Sequence, residues 1–202
     1  TVLNTNPQDS DARGGNTINA TGSTNLDGTN NKNWAFGVTC TSILTGNWNN
    51  TLTWDAACNG DTFPVAADYV IIATGHTVTV NVAAAAAGIT LNAPAAANGI
   101  NINAGITLAV GGADGGAINF VGSATAFNST LAVGTGILQA GRIVVQEGAG
   151  AGDSAVTLGP TGTITLTGSI VFSGATAADA TLAVTGAGGI TVGGDFSSGG
   201  TF

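Results

Sequence analysis

The chain has 202 residues, of which only 7 % are charged, and eleven acids against three basic side chains leave a net charge of −8. Arg13, Lys32 and Arg142 are its whole cationic complement, so it lacks the basic footprint that phosphate neutralisation or docking on anionic lipid requires. Disorder is excluded as well, because 44 % of the residues are apolar and they recur in Val/Ile/Leu strand patterns. What remains is the composition of an extracellular fibre or surface protein. Uncharged Thr and Asn can line strand faces in ladders without repulsion.

The chain begins at Thr1 with no methionine and no apolar leader, which predicts secretion with a signal peptide removed. No run of 18 apolar residues occurs, so no helical membrane insertion is expected. Residues 1–33 are rich in Asn, Thr, Gly and Asp, with Val2, Leu3, Ile18 and Leu26 as the larger apolar side chains. Such a segment cannot bury a core alone. It reads as an extended or flexible tail, and Thr17-Ile18-Asn19-Ala20-Thr21 alternates well enough to donate a strand to a neighbour.

Residues 34–64 hold all three tryptophans, Trp34, Trp48 and Trp54, together with Cys40 and Cys58. An even cysteine pair in a secreted chain predicts a disulfide, which would contribute roughly 3 kcal/mol through the unfolded state. The segment reads as a cap in which the tryptophans cover the open end of a β-stack. Exposed Trp rings stacking on a glycan are the alternative.

From residue 65 to 202 the sequence becomes repetitive. Apolar-x-apolar strands recur, among them Val70-Ile71-Ile72, Val78-Thr79-Val80, Ile89-Thr90-Leu91, Ile100-Asn101-Ile102 and Ile106-Thr107-Leu108. They continue through Ile118-Asn119-Phe120, Leu131-Ala132-Val133, Ile143-Val144-Val145, Val156-Thr157-Leu158 and Ile164-Thr165-Leu166 to Ile170-Val171-Phe172, Leu182-Ala183-Val184 and Ile190-Thr191-Val192. Glycine-rich turns separate them. The spacing is too short for βαβ crossovers and no 3.6-residue period appears. The expected fold is therefore all-β, a single parallel β-solenoid. With three strands in a coil of roughly 20 residues, about six or seven coils follow Pro64, a rod on the order of 30 Å long. The alanine run 83–87 is too short to nucleate a helix and reads as a packed strand or corner.

The stretch Gly46-Asn47-Trp48 to Trp54, then Phe63-Pro64, Asp68-Tyr69-Val70-Ile71-Ile72 and Gly75-His76-Thr77-Val78-Thr79-Val80, resembles the opening of bacterial cell-surface, adhesin-like β-helix proteins of the eight-glycine type, with their G-I-T-L coils. Gly194-Asp195-Phe196 to Thr201-Phe202 resembles the "G-D-F-x-x-x-G-T-F" coil of the same proteins. The resemblance spans roughly residues 44–202. It implies a parallel β-helix with adhesive or structural roles and carries over no catalytic residue.

Catalytic and metal chemistry find little to work with, and no cofactor is expected. His76, the single histidine, lies in a turn and reads as bonded to backbone. A glycosidase needs two carboxylates about 5 to 10 Å apart. Asp114, Glu147, Asp153, Asp179 and Asp195 are instead scattered among Gly and Ala. The Gly111–Ala117 segment lacks the phase and tandem copies of calcium-binding nonapeptides and reads as an Asp-Gly turn. N-glycosylation sequons stand at Asn19, Asn49 and Asn128. The expectation is a non-enzymatic subunit of an extracellular homopolymer. It would assemble head-to-tail through the solenoid ends and the tail, using Val2, Leu3, Ile18, Phe196 and Phe202. A surface adhesin binding glycan is the alternative, and a polysaccharide-active enzyme a lesser one.

Overall fold

The computed structural model describes residues 6–11, 13–14, 18–19, 34–35, 37–58, 62–92, 95–111, 116–121, 129–146, 155–173 and 181–198. Two short strands, β1 (Ile18–Asn19) and β2 (Trp34–Ala35), pair in parallel, with Ile18 beside Trp34. Then come β3 (Thr39–Thr41) and β4 (Gly46–Asn47), followed by a single 3-10 turn over Thr51–Thr53.

The remaining strands repeat in threes. The first coil is β5 (Tyr69–Ile72), β6 (Thr77–Val80) and β7 (Ala84–Ala86). The second is β8 (Gly88–Asn92), β9 (Asn98–Ile102) and β10 (Thr107–Val110). The third is β11 (Ala117–Val121), β12 (Ser129–Gly134) and β13 (Ile137–Ala140). The fourth is β14 (Arg142–Gln146), β15 (Ala155–Leu158) and β16 (Thr163–Leu166). The fifth is β17 (Ile170–Ser173), β18 (Thr181–Val184) and β19 (Gly189–Val192), and β20 (Phe196–Ser198) opens a sixth.

Every third strand joins the same sheet, in parallel. The first face runs β3-β5-β8-β11-β14-β17-β20, the second β4-β6-β9-β12-β15-β18, and the third β7-β10-β13-β16-β19. The chain is thus a three-faced parallel β-solenoid. Two-residue alternation sends one set of side chains into the tube. On the first face Val70, Ile89, Ile118, Ile143 and Ile170 form one inward column, all 1 % exposed or less. Leu108, Leu138 and Ile164 make the matching column on the third face. Burying a branched aliphatic side chain contributes about 1.5–3 kcal/mol, so these columns carry the rod.

All thirteen predicted strands occur, and the alanine run is a strand, β7, packed inward through Ala86. The coil length differs from expectation. Register sets Val70 beside Ile89, Ile89 beside Ile118, Ile118 beside Ile143, Ile143 beside Ile170 and Ile170 beside Phe196, so most coils take 25 or more residues. There are accordingly five full coils rather than six or seven. The extra length lies between first-face and second-face strands, as in residues 122–128, 147–154 and 174–180. Corners are tight elsewhere. Gly116 has φ +60°, and a Cβ there would stand 2.1 Å from the Val110 carbonyl oxygen.

Candidate assembly surfaces at the two ends

A stack of parallel rungs has two different ends, and here they are built differently. At the head, β3 pairs with β5 on its inner side. Its outer side meets residues 53–55. The Asp55 amide donates to the Thr41 carbonyl at 2.9 Å, the Thr41 amide donates to Asp55 Oδ1 at 3.2 Å, and the Ile43 amide donates to the Thr53 carbonyl at 2.8 Å. An antiparallel bridge joins Ser42 to Trp54. The Thr53 hydroxyl also donates to the Asn47 carbonyl of β4, at 3.0 Å. The head edge of the first face is therefore bonded from within the chain at Thr41 and Ile43, and that of the second face at the Asn47 carbonyl.

The cap is held by its own core. Cys40 in β3 is disulfide-bonded to Cys58, and both are fully buried. Trp48 and Trp54 meet edge to face with centroids 5.3 Å apart. Each indole N–H is satisfied, Trp48 donating to the Pro64 carbonyl at 3.2 Å and Trp54 to the Trp48 carbonyl at 2.7 Å. The rings are 1 % and 3 % exposed, so they belong to the core and present no face on which a sugar could stack. The side chain of Trp34 lies outside the described residues. Asp68 is fully buried, and its carboxylate accepts the Val38 amide at 3.1 Å and the Val65 amide at 2.8 Å, tying both approaches of the cap to the first coil. Further ties run from the Thr77 amide to the Thr45 hydroxyl and from Asn81 Nδ2 to Asn49 Oδ1.

His76 also serves the cap. Its Nδ1 lies 3.0 Å from both the hydroxyl and the carbonyl oxygen of Ser42. A carbonyl only accepts, so this geometry assigns a proton to Nδ1. The same Ser42 hydroxyl accepts the Ala73 amide at 2.9 Å, and Ser42 is buried. An activated serine needs a basic ring nitrogen facing its hydroxyl, the reverse of this arrangement.

At the tail, β20, β18 and β19 end the three faces, and among the described residues each pairs on one side only. Phe196 takes over the inward column from Ile170 and packs on Phe172 with centroids 5.7 Å apart, yet it is 50 % exposed. Val184, in β18, is 46 % exposed.

Exposed apolar side chains follow the same division. Among the described residues the large ones are Ile43, Leu44, Leu52, Phe63 and Val65 around the cap, Val184 and Phe196 at the tail, and Val121 alone on the body. Of the cap members, Phe63 stands in the motif quoted from the sequence, whereas Ile43, Leu44 and Leu52 were not singled out there. Their signal is Ile43-Leu44, an apolar pair that breaks the alternation, and Leu52 set among Asn and Thr.

Val2, Leu3, Phe202, Asp114, Glu147, Asp153 and Asp179 lie outside the described residues, while Ile18 is placed by its backbone in β1. Near it, Arg13 Nε donates to Asp11 Oδ1 at 2.8 Å, and this exposed pair raises the Arg13 pKa. Among the described residues no three His, Cys, Asp or Glu side chains gather as metal ligands. The third face carries a shallow groove of about 500 Å³, lined by residues including Ala109, Gln139, Ala140 and Thr165 and, among the described residues, by no ionisable side chain.

These features define a three-faced parallel β-solenoid with a disulfide-stapled head. No protein family, no curated protein and no solved structure matches the chain. The likeness to eight-glycine-type surface β-helices therefore rests on its motifs alone.

Proposed function

We propose that the chain is a structural subunit of an extracellular filament that assembles head-to-tail. The observation that carries this reading is the distribution of exposed large apolar side chains, which among the described residues cluster at the two ends, with Val121 alone on the body. A contact between two different patches on one molecule does not close on itself, so it propagates into a filament. In this reading the polar segment 1–33 reinforces the joint by giving up its own pairing of Ile18 with Trp34 and adding a strand to a neighbour. A body with few charged residues limits the repulsion between stacked copies, each of which carries a net charge of −8. The buried disulfide fits an oxidising, extracellular setting.

The test is electron microscopy of the purified chain in native buffer, across a concentration series. Uniform filaments with a subunit repeat of a few nanometres are the expected result. Monodisperse short rods at every concentration would sink the reading and turn attention to adhesion. Deleting residues 1–30 then separates the two contacts. Filaments unchanged by that deletion would remove the tail from the joint and leave the apolar ends.

A further inference from the structure

Asn-Gly is the dipeptide in which an asparagine side-chain amide is hydrolysed most readily, because glycine has no Cβ to keep its backbone nitrogen away from the neighbouring carboxamide. One such pair, Asn98-Gly99, opens strand β9 in the second coil. We propose that Asn98-Gly99 is a self-modification site, shielded while the coil is closed and converted to aspartate or isoaspartate once it opens, and that a converted chain cannot rebuild the coil.

Both residues stand where the packing requires them. Asn98 is 3 % exposed. Its Nδ2 donates to the Ile72 carbonyl at 2.8 Å, and its Oδ1 accepts the Ser129 hydroxyl at 2.7 Å. A carbonyl only accepts, which fixes the orientation of the carboxamide. These two bonds join the first, second and third coils at one corner. A Cβ on residue 99 would stand 2.5 Å from Thr130 Oγ1 and 3.0 Å from the Thr130 carbonyl oxygen, so the close approach of β12 selects glycine.

The same contacts hold the reaction off. Its nucleophile is the Gly99 backbone nitrogen, whose N–H donates to the His76 carbonyl at 3.0 Å, and its leaving group is Nδ2, held by Ile72. Strand β9 is paired on both sides, with β6 and β12, so the backbone cannot turn to bring that nitrogen onto Asn98 Cγ. In an opened coil the Gly99 nitrogen gives up its proton and attacks Cγ. The new C–N bond forms, the Cγ–Nδ2 bond breaks, and Nδ2 leaves as ammonia with that proton. Water then opens the cyclic imide at either carbonyl, giving aspartate or isoaspartate and releasing one proton. In aspartate an oxygen stands where Nδ2 stood, acceptor against the Ile72 carbonyl in a buried site. In isoaspartate the main chain gains a carbon between positions 98 and 99, which breaks the alternation that turns Ile100 and Ile102 inward. Neither product fits the closed coil.

The inference is independent of the filament reading. Peptide mapping follows the amide at position 98 in the intact chain, incubated in native buffer and in denaturant at one pH and temperature. The second Asn-Gly pair of the sequence, Asn59-Gly60, shows by its own conversion that the denaturing conditions permit the reaction. Conversion at Asn98 should be at least about a hundredfold slower in native buffer, because there it waits on opening of the coil. Equal rates in the two conditions overturn the shielding. Denaturant is then removed at intervals, and the folded and unfolded fractions are mapped separately. Refolded chains should keep the amide at position 98 whatever the state of Asn59, with the converted chains left in the unfolded fraction. Refolded chains that carry the acid at position 98 as often as the whole sample overturn the second half of the proposal. Asn98→Asp carries the acid from synthesis and needs no refolding step. Its yield of folded protein should be at least about tenfold lower, because a buried acceptor facing an acceptor is costly, and a yield equal to that of the native chain overturns the same half.

Discussion

The two ends of this rod are made from different kinds of sequence and come out differently. At the head, one stretch of about twenty residues supplies two buried tryptophans, a disulfide and Asp55, and it bonds part of the outer strand edge at Thr41, Ile43 and Asn47. At the tail, the coil pattern runs on into β20 with its inward column half in solvent. The difference teaches where a solenoid gains its ends: a repeat propagates by itself, and stopping it takes residues that break the repeat.

The sharpest way to break the comparison is to remove the head's core. Trp54→Ala should cost about 3–5 kcal/mol, as a large aromatic lost from a packed interior does, and denaturant unfolding would register it. Opening the disulfide should cost about 3 kcal/mol in the same assay, through the released loop in the unfolded chain. Asp68→Ala should cost about 1–3 kcal/mol, because the Val38 and Val65 amides lose their acceptor in a buried site. Phe196→Ser, at the half-exposed tail, should cost only about 1 kcal/mol. It should nonetheless raise the critical concentration for assembly at least tenfold. A Phe196 variant that loses as much stability as Trp54→Ala would show that the tail is as well sealed as the head. Leu52→Ser should be smallest in stability, within about 0.5 kcal/mol, while still weakening assembly.

Much of the fold could be read from the sequence because a parallel coil buries one side of each strand, and Val, Ile and Leu two residues apart mark that side. The reading fails where the inward residue is small. Leu138-Gln139-Ala140 went unread as a strand, since Ala140 does not announce an inward position. The number of coils was overestimated for a related reason. Strand spacing alone does not separate a tight corner from a long insertion, and only register shows that the insertions recur between the first and second faces. The disulfide was legible as an even pair. The orientation of the tryptophans was not, because whether an indole faces inward depends on a loop bringing it a carbonyl, here Pro64 and Trp48. Asp55 was likewise invisible: nothing in its neighbours says that its carboxylate will meet the Thr41 amide.

The length of a coil has a mechanical consequence. A coil of about 25 residues advances the rod by about 4.8 Å, yet the same residues pulled straight span about 80 Å. A rod of this kind under tension would lengthen by releasing coils singly from its C-terminal side. Each release would add more than ten times the rod length it removed, and a force–extension trace would record it as steps of that size. The Cys40–Cys58 staple withholds the residues it encloses from this extension, so the head would hold as an anchor while the coils behind it gave way.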